Sequence, residues 1–118
     1  MGRHVLLVMS NPVSAERESE YNDWYSNRHV GDVVDVPGFA AATRYVASEA
    51  QMVGPPQYKY LAVYEIDADD PADAVRSLRE ALATPGKMPV SDAMDRNSLF
   101  VHVYTAITEK VSSSDRAE

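Results

Sequence analysis

The 118-residue sequence has no cysteine. Disulfides, thiol nucleophiles and Cys-ligated metal sites are therefore excluded. The composition suits a cytoplasmic protein, since disulfides belong mostly to oxidising compartments. Positive charge is scarce: 11 Lys and Arg against 18 Asp and Glu leave a net charge of −7, and no basic run exists. This argues against nucleic acid and anionic membrane surface as partners. Long apolar runs are missing as well. None approaches the roughly 20 residues of a membrane span, and the stretch Val5–Met9 is too short for a signal peptide. No Gly-rich phosphate loop, Gly-x-Ser-x-Gly elbow or dinucleotide fingerprint occurs. Only three histidines are present, His4, His29 and His102, with no short-range ligand spacing, so no metal site is expected.

What is present concentrates between Tyr21 and Phe39. This stretch holds the only Trp, one of the three His and two of the seven Tyr. Read as a helix, it puts Tyr21, Tyr25 and His29 at i, i+4 and i+8 on one stripe, flanked by Trp24 and Arg28. A structural helix would carry Leu, Val or Ile there. Pro37-Gly38 ends the element, and a positive φ is expected at Gly38.

The rest of the chain reads in order. Met1 to Met9 forms a first strand, apolar from Val5 to Met9. Asn11-Pro12 stops it. The helix follows to about Val34, with Ser14 or Ser19 as N-cap and Glu16, Glu18 and Glu20 favouring its positive N-terminus. Phe39 to Ser48 contains three alanines that would allow helix, but Thr43, Tyr45 and Val46 tip it to strand. Gly54-Pro55-Pro56 marks a loop. Tyr58 to Ile66 is a strand with Tyr58, Tyr60, Ala62 and Tyr64 on one face. Asp70-Pro71 starts a second helix, which Thr84-Pro85-Gly86 closes. Lys87 to Asn97 is a mixed loop. Ser98 to Thr108 is the last strand, with Phe100, His102 and Tyr104 on one face. Residues 1–110 form one domain and 111–118 a polar, disordered tail.

The order β-α-β-β-α-β predicts an α+β, ferredoxin-like fold: a four-stranded antiparallel sheet with two helices on one face. Strands apolar on both faces predict a homodimer in which a second copy covers the other face.

The run Tyr21-Asn22-Asp23-Trp24-Tyr25-Ser26-Asn27-Arg28-His29-Val30, followed by Val36-Pro37-Gly38-Phe39 and Arg44-Tyr45, resembles the EthD-like family. Tyr58 to Glu65 resembles that family's third strand, and the resemblance spans roughly residues 3 to 108. It implies a dimeric α+β barrel with a pocket in each subunit between helices and sheet. Relatives in the wider superfamily include cofactor-free monooxygenases, polyketide cyclases, haem-binding enzymes and muconolactone isomerase. Fold alone does not choose among these chemistries.

Two readings of His29 stand side by side. It is a general base with an intrinsic pKa of about 6.5, or a helix-end residue pinning the Pro37-Gly38 turn. Tyr25 either orients a substrate oxygen beside it or belongs to the core. Tyr21, Trp24, Arg28, Tyr60, Tyr64 and His102 are the candidate substrate contacts. Each has a plainer alternative: core packing for Trp24, a surface pair with Asp32 for Arg28, and core or interface for His102. Which aromatic strand face lines the pocket is open, since a one-residue slip exchanges them. The function expected is a cofactor-free enzyme acting on a small, aromatic or polyketide-like catabolic molecule by cyclase, isomerase, lyase or oxygenase chemistry. The alternatives are a non-enzymatic small-molecule-binding accessory protein and a haem-dependent enzyme.

Overall fold

The computed structural model describes residues 3–116. Met1 and Gly2 of the expected first strand, and Ala117 and Glu118 of the expected tail, lie outside the described residues. Four strands and three helical segments follow in order: β1 (His4–Ser10), α1 (Glu18–Trp24), α2 (Val30–Val34), β2 (Phe39–Val46), β3 (Tyr60–Ile66), α3 (Pro71–Ala83) and β4 (Phe100–Thr105). α1 and α2 are two parts of one helix, joined by a π-helical turn at Tyr25–His29. The strands lie in the order β2-β3-β1-β4, each neighbouring pair antiparallel. This is the four-stranded ferredoxin-like α+β sheet expected from the element order.

Strand ends differ from expectation by about two residues. Tyr58 and Lys59 stand outside β3, and Ser98, Leu99 and residues 106–108 stand outside β4. Neither candidate serine caps the first helix through its side chain. Ser14 precedes a short 3₁₀ turn at Ala15–Arg17 without such a bond, and Ser19 lies inside α1. The second helix starts as its sequence dictates: the Asp70 side chain accepts from the Ala72 N–H at 3.0 Å, and Pro71 takes the first turn, where its missing N–H costs nothing. In the tail, Ser113–Arg116 forms one 3₁₀ turn.

The helices cover one face of the sheet. Leu6, Tyr64, Ala62 and Ile66 on that face meet Tyr21, Tyr25 and Val33 of the first helix and Ala74 and Ala81 of α3 in one buried cluster. Register settles the question of faces. Leu6 pairs with Tyr64 and Val103, and Ser10 with Tyr60, so Tyr60 and Tyr64 look toward the helices. Leu7 pairs with Val63 and His102, and Met9 with Phe100, so Phe100, His102 and Tyr104 stand on the opposite, open face.

The turn between the first helix and β2 is tightly seated. Gly38 has φ +98°, and a Cβ placed on it would lie 2.7 Å from Ala74 Cβ. Its carbonyl accepts from the Asp67 N–H at 2.7 Å, which ties the turn to the end of β3.

Candidate functional site

The site begins with the π turn. In that geometry, residues five apart become neighbours. The Val30 N–H accordingly bonds to the Tyr25 carbonyl, and the rings of Trp24 and His29 stack with centroids 4.6 Å apart. Tyr25 packs edge-on to both Tyr21 at 5.6 Å and His29 at 5.1 Å. The expected stripe thus survives as a row of touching rings, with Trp24 behind His29.

A cavity of about 160 Å³ lies between this helix and the sheet. β1 supplies Leu6 and Val8, α2 supplies Val33, and α3 supplies Leu78 and Leu82. Val90, Met94 and Leu99 of the segment before β4 close it, together with Val101 of the strand. Against these nine aliphatic side chains stand three polar ones: Tyr25, His29 and Tyr64. Among the described residues no charged side chain lines the wall.

Electrostatics at the polar end follow from burial. Loss of water lowers His29 to about 4, only partly opposed by the nearby Asp32 carboxylate. Burial likewise raises Tyr64 to about 12 and pushes Tyr25 well above the ordinary phenol range, its neighbour Tyr64 adding to the effect. Near neutrality the cavity therefore offers a neutral imidazole and two neutral phenols. His29 Nδ1 and Tyr64 Oη are buried and have no hydrogen-bond partner among the described residues. Tyr64 and Tyr25 perturb each other without reaching hydrogen-bond geometry at Tyr64 Oη. Buried polar atoms of this kind normally have partners.

A stability consequence arises here. The folded protein resists protonating His29 until about pH 4, whereas the unfolded chain takes up that proton near pH 6.5. The stability tied to neutral His29 is complete above about pH 6.5 and is lost as pH falls toward 4, by roughly 2–3 kcal/mol. Urea midpoints measured across that window should fall for the wild type and flatten for His29→Leu. Parallel curves for the two would show that His29 is not the titrating group.

The remaining candidates lie elsewhere. Tyr21 is fully buried, and its hydroxyl shares a 2.5 Å hydrogen bond with Ser10 Oγ, which makes it core rather than a cavity contact. Tyr60 stands on the helix face, but its hydroxyl accepts from Asn22 at 2.9 Å and donates to Glu18 at 2.5 Å, away from the cavity wall. Trp24 backs His29 and donates from Nε1 to the Pro89 carbonyl at 3.2 Å, holding the loop rather than lining the cavity. Arg28 is exposed and pairs with Asp32 at 3.0 Å, four residues on, because its side chain points off the outer face of the helix. His102 is on the open face of the sheet, with the whole sheet between it and the cavity. His29 makes no hydrogen bond to the Pro37-Gly38 turn, so it does not act as that turn's pin. Among the described residues, no three His, Cys, Asp or Glu side chains converge as a metal site would require.

The loop wall was the part sequence reasoning missed. Val13 N–H bonds to the Ala93 carbonyl at 2.7 Å and Asp95 N–H to the Asn11 carbonyl at 2.9 Å, which straps this loop to the exit of β1. Met88 and Ala93 are buried. The signal available was four apolar residues, Met88, Val90, Ala93 and Met94, in a loop that is otherwise polar apart from Pro89.

Three solved structures share this arrangement of strands and helices. An ethyl tert-butyl ether D (EthD) family protein from Bacillus halodurans C-125 superposes with a TM-score of 0.55 at 16% identity, over 94% of this chain and 100% of its own. An EthD-like protein from Ralstonia eutropha JMP134 gives 0.58 at 14% identity, over 93% and 96%. A protein provisionally named a monooxygenase, from Shewanella loihica PV-4, gives 0.54 at 15% identity, over 92% and 99%. The chain has the fold of EthD-family proteins. No protein-family model and no curated protein matches it by sequence. At this identity the EthD-like likeness is one of fold, and chemistry must come from the cavity. A porphyrin is far larger than that cavity, so haem does not fit between this helix and this sheet. Among the described residues no helix is long and apolar enough to cross a membrane.

Proposed function

We propose that the protein is a cofactor-independent enzyme that moves a proton on a small, neutral, single-ring molecule, with His29 as general base and Tyr25 and Tyr64 as hydrogen-bond donors to the substrate oxygen. One observation carries this reading. In an otherwise aliphatic cavity, the three polar side chains stand together, and two of their buried polar atoms have no partner among the described residues. A ligand oxygen and an acidic ligand proton supply what those atoms lack. His29 takes the proton from a C–H beside a carbonyl or from a hydroxyl. The electron pair left behind rests on the oxygen held by the phenols. His29 then returns the proton at another atom.

Size narrows the substrate class. A cavity of about 150 Å³ lined by apolar side chains holds benzene, and this one measures about 160 Å³. A substituted six-membered ring fits, and a fused polyketide does not. The family name of one similar structure refers to ethyl tert-butyl ether, also a small neutral molecule with one oxygen. Calorimetric titration should show binding of phenol and cyclohex-2-enone and none of anthrone. Binding of anthrone with equal or greater affinity would refute the size argument. Binding without turnover of any ring ketone would favour the accessory-protein alternative. The reading places the protein in the cytoplasm, consistent with its lack of cysteine.

The same proposal includes a homodimer. Val5, Leu7, Met9, Leu61, Val63 and Phe100 share the open face of the sheet, which no helix among the described residues covers. A second copy packed there would remove this apolar surface from water. Light scattering at micromolar concentration should give twice the 13.0 kDa chain mass, and Leu7→Glu should halve it. A folded wild-type monomer would rule the dimer out.

A further inference from the structure

Arg44 lies on the helix-facing side of β2, opposite Ala62. Its guanidinium carbon sits 4.3 Å from the Tyr25 ring centroid, 5.2 Å from that of Tyr60 and 5.4 Å from that of Tyr21. Nη1 donates to Ser26 Oγ at 2.7 Å. Nε and Nη2 are buried and meet no acceptor in hydrogen-bond geometry among the described residues, although the guanidinium lies close enough to the Tyr21 hydroxyl to favour its ionisation. Arg3, Arg17, Arg28 and Arg76 each reach a carboxylate; among the described residues Arg44 reaches none. Glu18, whose carboxylate takes the Tyr60 hydroxyl, is already paired with Lys59 at 2.6 Å.

A guanidinium with two of its three nitrogens out of water and no anion beside it is unfavourable. Three ring faces offset part of that cost. The rest is met if negative charge forms nearby, and Tyr25 shows where. One ring carries Arg44 against it and also lines the cavity. The positive charge reaches the other two polar groups of the wall as well, where it opposes protonation of His29 and favours ionisation of Tyr64.

We propose that Arg44 stabilises an oxyanion formed on the cavity ligand, so that the ligand class is a single-ring phenol or enolisable ketone held at its oxygen by Tyr25 and Tyr64. The inference rests on the cavity reading above. Arg44 touches no atom of the ligand; it is a positioning residue that acts across the Tyr25 ring. The step needs no oxidant. A C–H or O–H bond of the ligand breaks, its proton goes to His29, and its electron pair ends on the ligand oxygen. The positive charge of Arg44, which already opposes protonation of His29, then favours return of the proton.

The test uses 4-nitrophenol, whose visible absorption distinguishes phenol from phenolate. Bound to the wild-type protein and titrated with pH, the probe should bind more tightly as phenolate than as phenol. In Arg44→Met the bound probe should ionise about one pH unit higher or more, a tenfold or greater loss of phenolate preference, while affinity for the neutral phenol is kept. Arg44→Lys, which keeps the charge but not the planar fork, should fall between the two. Identical titrations for wild type and Arg44→Met would overturn the proposal. So would a wild type that prefers the neutral phenol, which decides the matter even if Arg44→Met fails to fold. Binding without phenolate preference overturns this inference and leaves the cavity reading standing. No binding of 4-nitrophenol to the folded wild type overturns both.

Discussion

Replacing His29 with alanine is expected to slow proton exchange from a bound ring ketone about 10²–10⁴-fold, the usual contribution of a positioned general base. The measurement is loss of the α-proton signals of cyclohex-2-enone in D₂O, followed by NMR with wild type, His29→Ala and His29→Gln. His29 lines the cavity beside Tyr25 and makes no bond that the fold depends on among the described residues. The variants should therefore remain folded, and their melting curves provide the control. The pH profile adds a second check. Burial holds the imidazole neutral down to about pH 4, so the exchange rate should stay level through pH 6.5 and fall only as pH approaches 4. A rate for His29→Ala equal to that of the wild type would remove His29 from the chemistry. A fall centred near pH 6.5 would mean that the imidazole is solvated, contrary to the burial described above.

Gly38→Val is expected to destabilise the fold by about 3–5 kcal/mol, from two separate causes. The first is backbone conformation: φ is +98°, where a β-branched residue is strained. The second is space, because any Cβ meets Ala74 Cβ at 2.7 Å and Ala74 Cα at 3.1 Å. Ala74 is fully buried in the first turns of α3 and cannot retreat without moving the helix off the sheet. At roughly 4 °C per kcal/mol for a domain of this size, the melting temperature should drop by about 10–20 °C. A double-mutant cycle with Ala74→Gly separates the causes. It should recover about 1–2 kcal/mol beyond additivity, the steric part, and leave the backbone strain. An additive cycle would mean that the two residues do not touch. An unchanged melting temperature for Gly38→Val would mean that the turn is ordinary.

Gly38 also illustrates what could be read in the chain and what could not. Pro37-Gly38 before a β-leaning stretch pointed to a turn with positive φ, a local matter of backbone sterics. That the same glycine faces Ala74, 36 positions away, depended on how α3 docks. Trp24 shows the same division, and Arg28 the opposite one. Trp24 lies next to the expected stripe in sequence, yet the π turn stacks it behind His29, whereas the Arg28–Asp32 pair keeps the i, i+4 spacing legible in the sequence. An i, i+4 reading has no means of anticipating an i, i+5 turn.

The sequence by itself determined the order and type of the elements, and with them the ferredoxin-like sheet. Those properties follow from periodicity, turn residues and capping, all of which act within a few residues. It also determined that Tyr21, Tyr25 and His29 would be neighbours, because a helix brings such spacings together whichever way it faces. Tertiary structure alone decided which of them meets the cavity. Register turned Tyr64 inward and His102 outward, and a single-residue slip would have exchanged the faces. Docking of the loop before β4 supplied the apolar wall, and edge strand β2 brought Arg44 against the tyrosines. These are contacts between segments far apart in the chain, and no local pattern encodes them: they are set by which packing of the whole sheet and its helices buries the most apolar surface while leaving the fewest polar groups unpaired.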